Sequence, residues 1–355
     1  MTPRLLLVEP FFGGSHKQLI DAVVSRLDPE DYLLITFPDK KWHWRARISA
    51  LAISQQIPKD HAFATLFTSS VLSLAELVGL RPDLARLRKV VYFHESQLEY
   101  PVRKAQERDF QFGYNQITTC LAADIVLFNS STLLQTFLSA IPKFLRQQPD
   151  CRPDCDSIQA GIESKSSVCY FPLLLPSARP HPPSPPLHIA WPHRWEHDKD
   201  PDTFFRVVFR LLEEGLDFRV SVIGQTYDVV PDIFAEAEQR LRDRLVVFGF
   251  KSDKAEYHRS LSACHVVVST ALHETYGVAM LEASALGCYP LVPNRLVYPE
   301  LYPLECLYNT EQQLYKRLRE MCKNPPLAAD RPGIEFERFA GSAPLQQLLD
   351  SLGLD

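Results

Sequence analysis

The chain has 355 residues and a net charge of −5, from 38 lysines and arginines against 43 aspartates and glutamates. At about 150 residues per domain, this length predicts two domains, and the 46% hydrophobic content excludes a disordered, collagen-like or coiled-coil protein. No apolar run reaches the roughly 18 residues that a membrane-spanning helix needs, and the acidic balance does not by itself indicate a nucleic-acid-binding protein.

The first half of the chain alternates short apolar runs with segments of helical periodicity. We predict strands at residues 4–9, 32–37, 62–68, 89–93 and 124–128. Helices are predicted to begin at Ser15 and to cover residues 42–55 and 107–122. Ser15 and Gln18 have the spacing of a capping box, in which both side chains bond backbone amides at the start of a helix. The alternation predicts a parallel sheet with helices on both faces.

Eight prolines fall between Pro172 and Pro192 and mark a stiff connector near the middle of the chain. We therefore predict a first domain over 1–175, a linker over 176–186 and a second domain over 187–355, with a last helix that is free to pack back on the first domain. Residues 1–180 carry 20 basic and 18 acidic residues, a net charge of +2, so the remainder carries −7. This asymmetry indicates different partners for the two halves.

The second half repeats the alternation. Strands are predicted at 187–191, 218–223, 245–248, 265–269 and 289–292, and helices near 201–214, 231–242, 253–263, 277–286, 311–322 and 345–352. The predicted fold class is therefore α/β, with two Rossmann-like, doubly wound domains. Such domains bind ligands outside the carboxyl ends of their strands, and two of them joined by a linker normally bind ligand in the cleft between them.

Two glutamates, Glu274 and Glu282, are separated by seven residues around Gly277, where a helix is predicted to begin. The N-terminus of a helix presents free N–H groups and the positive end of its dipole, which suits a phosphate. Carboxylates on either side suit sugar hydroxyls, which donate hydrogen bonds. The competing interpretation is that both glutamates are solvated helix charges.

Arg194 and Lys199 are separated by four residues in the loop that follows the first strand of the second domain. A guanidinium fork and an ammonium point charge can converge on one diphosphate. The competing interpretation is a loop of salt bridges, since Glu196 and Asp198 lie beside them.

Two further segments follow predicted strands of the first domain. Gly13 and Gly14 precede a helix start, where glycines let the backbone approach a ligand and the helix favours an anion. The alternative is a tight turn that binds nothing. His94 ends a strand at the sheet edge where ligands bind, and the alternative there is a core histidine with all its hydrogen bonds made within the protein.

Together these motifs resemble the retaining group 1 glycosyltransferases, whose two Rossmann-like domains face each other across a cleft in the GT-B fold. The resemblance rests on the Arg-x4-Lys pair, the Glu-x7-Glu segment, the strand-terminal histidine and the N-terminal Gly-Gly loop, and it covers both halves of the chain. It implies an enzyme that takes a sugar from a nucleotide-sugar donor.

Longer strings are similar to a narrower family, the tRNA-queuosine α-mannosyltransferases. They are Gly13–Gln18, Lys41–Arg47, Tyr92–Glu95, Gln106–Gln111, Gly113–Gln116 and Trp191–Pro201. This resemblance implies retaining transfer of mannose from GDP-mannose to the cyclopentene diol of queuosine, at the wobble position of tRNA-Asp. The alternatives are a related enzyme with a lipid or small-molecule acceptor, and a catalytically silent protein that binds a nucleotide sugar or RNA.

The resemblance also assigns roles to individual positions of this sequence. Catalytic roles are expected for His94, Arg194, Lys199 and Glu274. The residues expected to bind the donor are Gly13, Gly14, Phe250, Tyr276, Gly277, Val278 and Glu282. The acceptor tRNA is expected to contact Ser15, His16, Lys41, Arg45, Arg47, Gln97, Arg103 and Lys104.

Basic and aromatic residues alternate over 40–47, as a surface that stacks bases and binds phosphates would. Three apolar residues in this region have helical spacing and are predicted to pack into the core: Trp44, Ile48 and Leu51. The alternative for the second basic group, around Arg103, is a solvated helix face.

No metal and no cofactor are expected beyond GDP-mannose as co-substrate. The pairs Cys151-x3-Cys155 and His193-x3-His197 lack further ligands for a metal site, and no DxD-type motif stands out. We expect neither a membrane nor DNA as a partner. The N-terminus lacks the apolar core of a secretion signal, and the expected location is the cytoplasm, with the nucleus as a second one.

Overall fold

The structure is a computed structural model that describes residues 3–99, 109–150, 153–176, 184–226, 229–326 and 332–354. It consists of two compact units. Unit 1 comprises Met1–Leu173 and Glu337–Asp355, and unit 2 comprises Leu174–Phe336. Residues 337–355 therefore belong to unit 1. The sequence placed them in the second domain but left the last helix free to pack back on the first. Within the described residues, every helix is too short or too polar to cross a membrane.

Unit 1 is built on a six-stranded sheet in which neighbouring strands are parallel throughout the described part of the chain. Its strands are β1 (Leu5–Phe12), β2 (Tyr32–Pro38), β3 (Thr65–Ser69), β4 (Arg88–Phe93), β5 (Ile125–Phe128) and β6 (Ser166–Val168). They lie in the order β2-β1-β3-β4-β5-β6. The central strands read as near-continuous apolar runs because helices cover both faces of a parallel sheet.

The helices of unit 1 that connect these strands cover the sheet. They are α1 (Gly14–Val24), α2 (Trp42–Ser54), α3 (Leu74–Leu80), α4 (Phe110–Ala122), α5 (Ser131–Leu145) and α6 (Cys155–Glu163). The rings of Phe93 and Phe128 stack at 4.6 Å at the centre of the core, with Phe137 of α5 against both. All three side chains are fully buried.

Unit 2 contains a second six-stranded parallel sheet. Its strands are β7 (Leu187–Trp191), β8 (Phe218–Ile223), β9 (Leu245–Gly249), β10 (Val266–Val268), β11 (Tyr289–Pro293) and β12 (Leu307–Tyr308), in the order β12-β11-β10-β7-β8-β9 among the described residues. Its helices are α7 (Pro201–Glu213), α8 (Ile233–Arg240), α9 (Lys254–Ser262), α10 (Val278–Ala285), α11 (Tyr298–Leu301) and α12 (Glu311–Lys323). The two sheets with their connecting helices confirm the predicted α/β class of two doubly wound domains.

The C-terminal segment completes unit 1. After the short α13 (Phe336–Phe339), α14 (Ser342–Leu352) packs against α1 and β4. Leu348 is fully buried there, and the Thr65 hydroxyl donates a hydrogen bond of 3.1 Å to the Leu352 carbonyl oxygen. The last helix is therefore part of the core that the first 173 residues form.

Two local predictions in unit 1 are wrong. Trp44, Ile48 and Leu51 are 57%, 46% and 53% exposed, whereas α2 buries a face made mostly of small side chains, such as Ala46 and Ala50. Small residues let α2 approach α3 and β1 closely, and that close packing decides which face turns inward. The predicted capping box of Ser15 and Gln18 is absent, because α1 already begins at Gly14 and its N-cap, Gly13, makes no side-chain hydrogen bond.

We expect Leu348→Ala to lower the free energy of unfolding by about 2–5 kcal/mol, because it leaves a cavity in a fully buried position. Urea unfolding followed by circular dichroism measures the change. Leu304→Ala is the matched control, since Leu304 is 82% exposed and its truncation should change stability by less than about 0.5 kcal/mol. Equal losses in both variants would show that α14 is not part of the core.

Candidate active site

The strand order of each sheet reverses direction at one point. In unit 2 the chain runs outward through β8 and β9 on one side of β7 and through β10, β11 and β12 on the other. Loops that leave adjacent strands in opposite directions open a crevice at the carboxyl ends, where ligands bind. The loop after β7 carries Arg194 and Lys199, and the loop after β10 carries Glu274. Both motifs singled out in the second half therefore meet at this point.

Lys199 joins the two loops of unit 2. The residue is 6% exposed. Its ammonium Nζ donates hydrogen bonds to the His273 carbonyl oxygen at 2.7 Å and to Glu274 Oε2 at 3.3 Å, and it lies 3.1 Å from Asp198 Oδ2. An ammonium has three donors, and three oxygens surround this one. The lysine and the first glutamate of the Glu-x7-Glu segment are thus one ion-paired cluster.

Glu274 is held as a carboxylate. Its burial would raise the pKa, but the charge of Lys199, with weaker contributions from His193, His273 and Arg194, lowers the pKa to about 2. The other oxygen, Oε1, accepts a hydrogen bond of 3.2 Å from the Thr275 amide. An ionised carboxylate can only accept hydrogen bonds, so this side chain suits a hydroxyl-bearing ligand.

A network of backbone contacts fixes the two loops. The Thr270 hydroxyl bonds the carbonyl oxygens of Lys199 and Asp200, each at 2.9 Å, and accepts from the buried Trp191 indole. The Asp198 carbonyl oxygen accepts the Leu272 amide at 2.8 Å. These contacts hold the ion pair in place without relying on the charges themselves.

Arg194 lies at the exposed side of the same loop, with its Nε 3.1 Å from Glu196 Oε2. The loop is pressed against the end of β8. A Cβ added to Gly224 would lie 1.7 Å from the His193 carbonyl oxygen, so only glycine permits this approach. The salt bridge with Glu196 that the competing interpretation required is present, and the Arg194 side chain is still 46% exposed.

The helix α10 begins beside Glu274. Its N-cap, Gly277, has φ +80°, a left-handed conformation that favours glycine, and an added Cβ would lie 3.3 Å from the Tyr298 ring. The first hydrogen bonds to the Gly277 carbonyl oxygen come from Met280 and Leu281. The amides before them, including that of Val278, belong to a helix N-terminus, which favours an anion. Tyr276 is buried at this point.

Glu282, the second glutamate of the segment, is 2% exposed and forms an ion pair with Lys254 of α9. His258 Nε2 lies 3.8 Å from the same carboxylate. Neither glutamate is therefore a solvated helix charge. Phe250, directly after β9, leaves 58% of its surface exposed, which is unusual for a phenylalanine and leaves a ring available for stacking.

Sequence reasoning missed several contributors to this cluster. His193 is buried, and burial together with the charge of Lys199 lowers its pKa to about 4. Asp198 had been noted only as a competing salt-bridge partner. The sequence indicated these two residues only by their position in the segment after β7. Spacing alone cannot show which neighbours of Lys199 turn inward.

In unit 1, the predicted site residues that follow β1 differ in their surroundings: some are buried in the fold and some are exposed. A Cβ added to Gly13 would lie 2.0 Å from Asp39 Oδ2, so this glycine is required by packing, whereas Gly14 has φ +51° and open space around it. Ser15 is partly exposed, and His16 is buried. His16 stacks on His94 with ring centroids 4.0 Å apart, and its Nδ1 lies 3.2 Å from Glu9 Oε1. Sequence reasoning did not single out Glu9.

The predicted acceptor residues on α2 lie at the surface. Lys41 is the exposed N-cap of α2, with a left-handed backbone. Arg45 lies 5.4 Å from the Phe37 ring centroid and Arg47 4.6 Å from that of Phe112. Arg47 also lies 3.7 Å from an Asp109 oxygen. Together with the exposed Trp44, these residues form the basic aromatic face of α2, the name used below for Lys41, Trp44, Arg45 and Arg47.

Gln97 donates its side-chain amide to Glu95 Oε1 at 2.9 Å, and its backbone amide to Gln116. Arg103 and Lys104 lie outside the described residues. The acceptor roles of all these residues stay predictions.

Comparisons with known proteins identify relatives of both halves. Residues 4–173 match the family described as tRNA-queuosine alpha-mannosyltransferase N-terminal, and residues 179–329 match glycosyl transferases group 1. The chain is 47% identical over 348 residues to the tRNA-queuosine alpha-mannosyltransferase of Drosophila melanogaster, covering 95% of this chain and 92% of that protein.

Solved structures share the architecture. HepE from Anabaena in complex with UDP superposes with a TM-score of 0.69 at 14% identity, over 99% of both chains. The lipopolysaccharide outer core galactosyltransferase WaaB has a TM-score of 0.65 at 13% identity, also over 99% of both chains. At such identities the likeness shows the fold alone, and it confirms the GT-B fold that the sequence predicted.

Replacing Glu274 by Gln should change how stability depends on pH. Because the folded-state pKa of about 2 lies below the usual 4.5, ionisation of Glu274 stabilises the fold above pH 4.5, and this contribution disappears as the pH falls toward 2. Between pH 7 and pH 3, the unaltered protein should lose about 2 kcal/mol more than the variant. Urea unfolding at both pH values measures the difference.

The matched control is Glu305→Gln, which removes an exposed carboxylate and should leave the pH dependence unchanged. Parallel pH curves for the unaltered protein and Glu274→Gln would contradict the ion pair with Lys199.

Proposed function

This chain belongs to the tRNA-queuosine alpha-mannosyltransferase family, and we propose that it transfers mannose from GDP-mannose to the cyclopentene diol of queuosine at the wobble position of tRNA-Asp. The observation that carries the proposal is the Lys199–Glu274 pair at the crevice of unit 2. A buried lysine that fixes an ionised carboxylate beside a helix N-terminus is suited to hold a sugar hydroxyl next to a diphosphate.

The donor belongs to unit 2. Arg194 is exposed enough to give its guanidinium to the diphosphate, and the N-terminus of α10 supplies backbone amides and a dipole. Lys199 is already surrounded by three oxygens. Its part is therefore to keep Glu274 ionised and oriented, and to add positive charge near the diphosphate.

The nucleoside part of the donor has two candidate contacts. The Glu282 carboxylate accepts hydrogen bonds from the ribose hydroxyls, and Lys254 beside it fixes that carboxylate. The exposed Phe250 ring offers a face on which the base stacks. UDP is the nucleotide in the HepE complex, so the choice of guanine here is part of the proposal.

Transfer breaks the bond between C1 of the sugar and the diphosphate oxygen, and forms a bond from C1 to a queuosine hydroxyl oxygen. The hydroxyl proton leaves with the GDP diphosphate. The transition state resembles an oxocarbenium ion, and negative charge grows on the leaving group. Arg194, Lys199 and the amides before α10 are positioned to stabilise that charge, so the reaction requires no metal ion.

The acceptor belongs to unit 1. Its basic aromatic face of α2 combines Lys41, Arg45 and Arg47 with an exposed indole, Trp44. Guanidinium groups bind phosphates, and an exposed aromatic ring stacks on an unpaired base. The anticodon loop that carries the wobble base offers both.

The test of the proposal is a donor-by-acceptor assay. GDP-mannose, GDP-glucose and UDP-sugars are each incubated with queuosine-bearing tRNA-Asp and with the same tRNA lacking queuosine, and the modified nucleoside is quantified by mass spectrometry. We expect product only from GDP-mannose with the queuosine-bearing tRNA, at an unchanged rate in EDTA.

Arg194→Ala serves as the control for turnover by this chain, because it removes an exposed diphosphate ligand and should reduce the rate by about 100-fold or more. Product with a lipid or small-molecule acceptor instead, or turnover that EDTA abolishes, would overturn the corresponding part of the proposal.

The double variant Arg45→Ala with Arg47→Ala should weaken tRNA binding, because two phosphate contacts are lost. The slope of log affinity against log salt should become shallower by about 1–2. Filter binding or fluorescence anisotropy over a salt series measures both quantities.

Arg206→Ala with Arg210→Ala is the matched control, since it removes the same charge from α7 of unit 2. If both double variants change affinity and slope equally, the loss reflects net charge alone and the RNA face lies elsewhere.

A further inference from the structure

Three buried polar side chains of unit 1 form a cluster at the carboxyl ends of its strands. Glu9, on β1, is 1% exposed, and His16 and His94 are also buried. One carboxylate oxygen, Glu9 Oε1, accepts the Phe11 amide at 2.9 Å and the Ser69 hydroxyl at 3.0 Å. The same oxygen lies 3.2 Å from His16 Nδ1. The carboxylate is thus fixed by two donors and directed at one imidazole.

His16 is in turn stacked on His94. The ring centroids are 4.0 Å apart and the ring planes differ by 33°. The two imidazoles lie among aromatic rings, with Tyr92 and Phe171 next to His94. His94 Nε2 is shut off from solvent and has no hydrogen-bond partner among the described residues. A buried polar atom without a partner is costly and marks a place where a ligand completes the hydrogen bonding.

The surroundings shift the pKa values of the two histidines in opposite directions. Burial lowers the pKa of His16, but the Glu9 carboxylate, with a smaller contribution from Glu95, outweighs it and raises the pKa above its usual value. Burial and the neighbouring His16 both lower the pKa of His94. The described titratable groups that face this pair are Glu9 from β1 and Glu95 after β4.

The same three side chains offer ligand atoms within 4.8 Å of one another, as a metal site would. Imidazole lone pairs lie in the plane of the ring, however, and two rings that lie over one another, with 33° between their planes, are poorly arranged to direct those lone pairs at one ion. The arrangement favours a pair in which one ring is a charged imidazolium and the other a neutral imidazole.

We propose that Glu9 and His16 are positioning residues, which orient His94 so that its unpartnered Nε2 accepts a hydrogen bond from a hydroxyl of the acceptor. Nε2 can accept that hydrogen bond only while the ring is neutral, because both nitrogens of an imidazolium are donors. The inference rests on the proposed function for the identity of that hydroxyl. It gives His16 a role other than the predicted contact with tRNA.

The first test needs no substrate. Histidine resonances of the full chain, labelled with ¹³C at the imidazole ring, are followed over pH, and the His94 signal is assigned from its loss in His94→Gln. In the unaltered protein, His94 should titrate below its usual pKa. In His16→Gln the His94 midpoint should move to higher pH, because the positive charge of His16 is lost. In Glu9→Gln it should also rise, because His16 without the carboxylate no longer holds its extra proton where His94 titrates.

The second test uses transfer. The ratio kcat/KM of Glu9→Gln should fall by roughly tenfold at pH 5.5 and return to within about threefold of the unaltered value at pH 8, where His94 is neutral in both. Asp83→Asn is the matched control, because Asp83 pairs with the buried His61 of unit 1 at 3.0 Å, outside the cluster. This control should keep the shape of the pH profile.

An unmoved His94 midpoint in both Glu9→Gln and His16→Gln, or a pH profile of Glu9→Gln that matches that of Asp83→Asn, would overturn the proposal. Failure of the proposed function would look different: the unaltered protein would form no product from any donor, while the His94 titration would still report on the coupling.

Discussion

The buried ammonium of Lys199 is the constraint on which the second unit depends. An isolated charge at 6% exposure would be prohibitively costly, so the chain must bring oxygens to it. Those oxygens come from both sides of the switch point: Asp198 from the loop after β7, and Glu274 with the His273 carbonyl from the loop after β10. The position of the helix that follows, α10, is thereby tied to the same charge. A helix N-terminus, which favours an anion, is therefore held beside this cluster as a consequence of satisfying one lysine.

Unit 1 has a buried charge of the opposite sign, the carboxylate of Glu9. Its sheet reverses strand order between β1 and β3. Glu9, where the regular register of β1 with β2 ends, accepts a hydrogen bond from Ser69 at the end of β3. The same carboxylate lies 3.2 Å from His16, and the charge of His16 in turn lowers the pKa of His94, the ring next to it. Each unit therefore places one buried charge at the switch point of a parallel sheet, positive in unit 2 and negative in unit 1. Lys199 contacts Glu274 directly, whereas Glu9 contacts His16 and reaches His94 only through that ring.

The distribution of charge is compatible with the proposed acceptor, which is an anionic polymer. The net charge of −5 sums a half with +2 and a half with −7. Within unit 1, α2 turns its small residues inward, which leaves Trp44 exposed beside Arg45 and Arg47. The arginines lie over aromatic rings of their own unit, Phe37 and Phe112. Such rings hold the guanidinium groups at the surface in restricted positions, which lowers the entropic cost of binding a phosphate.

The sequence by itself determined the fold class and most of the elements, because apolar runs and helical periodicity are local patterns that predict strands and helices. It also placed Arg194, Lys199 and Glu274 after strands of unit 2, and His94 after a strand of unit 1, and a parallel sheet brings such positions to one edge of that sheet. Only the tertiary structure decided which face of α2 is buried, where close packing against α3 and β1 overrode the periodicity that favoured Trp44. Only the tertiary structure showed that residues 337–355 complete unit 1, and that Glu9 and His193 belong to the clusters of charged and ionisable side chains. Those contacts join residues far apart in the chain, and the pattern of a single sequence does not predict which distant side chains come into contact.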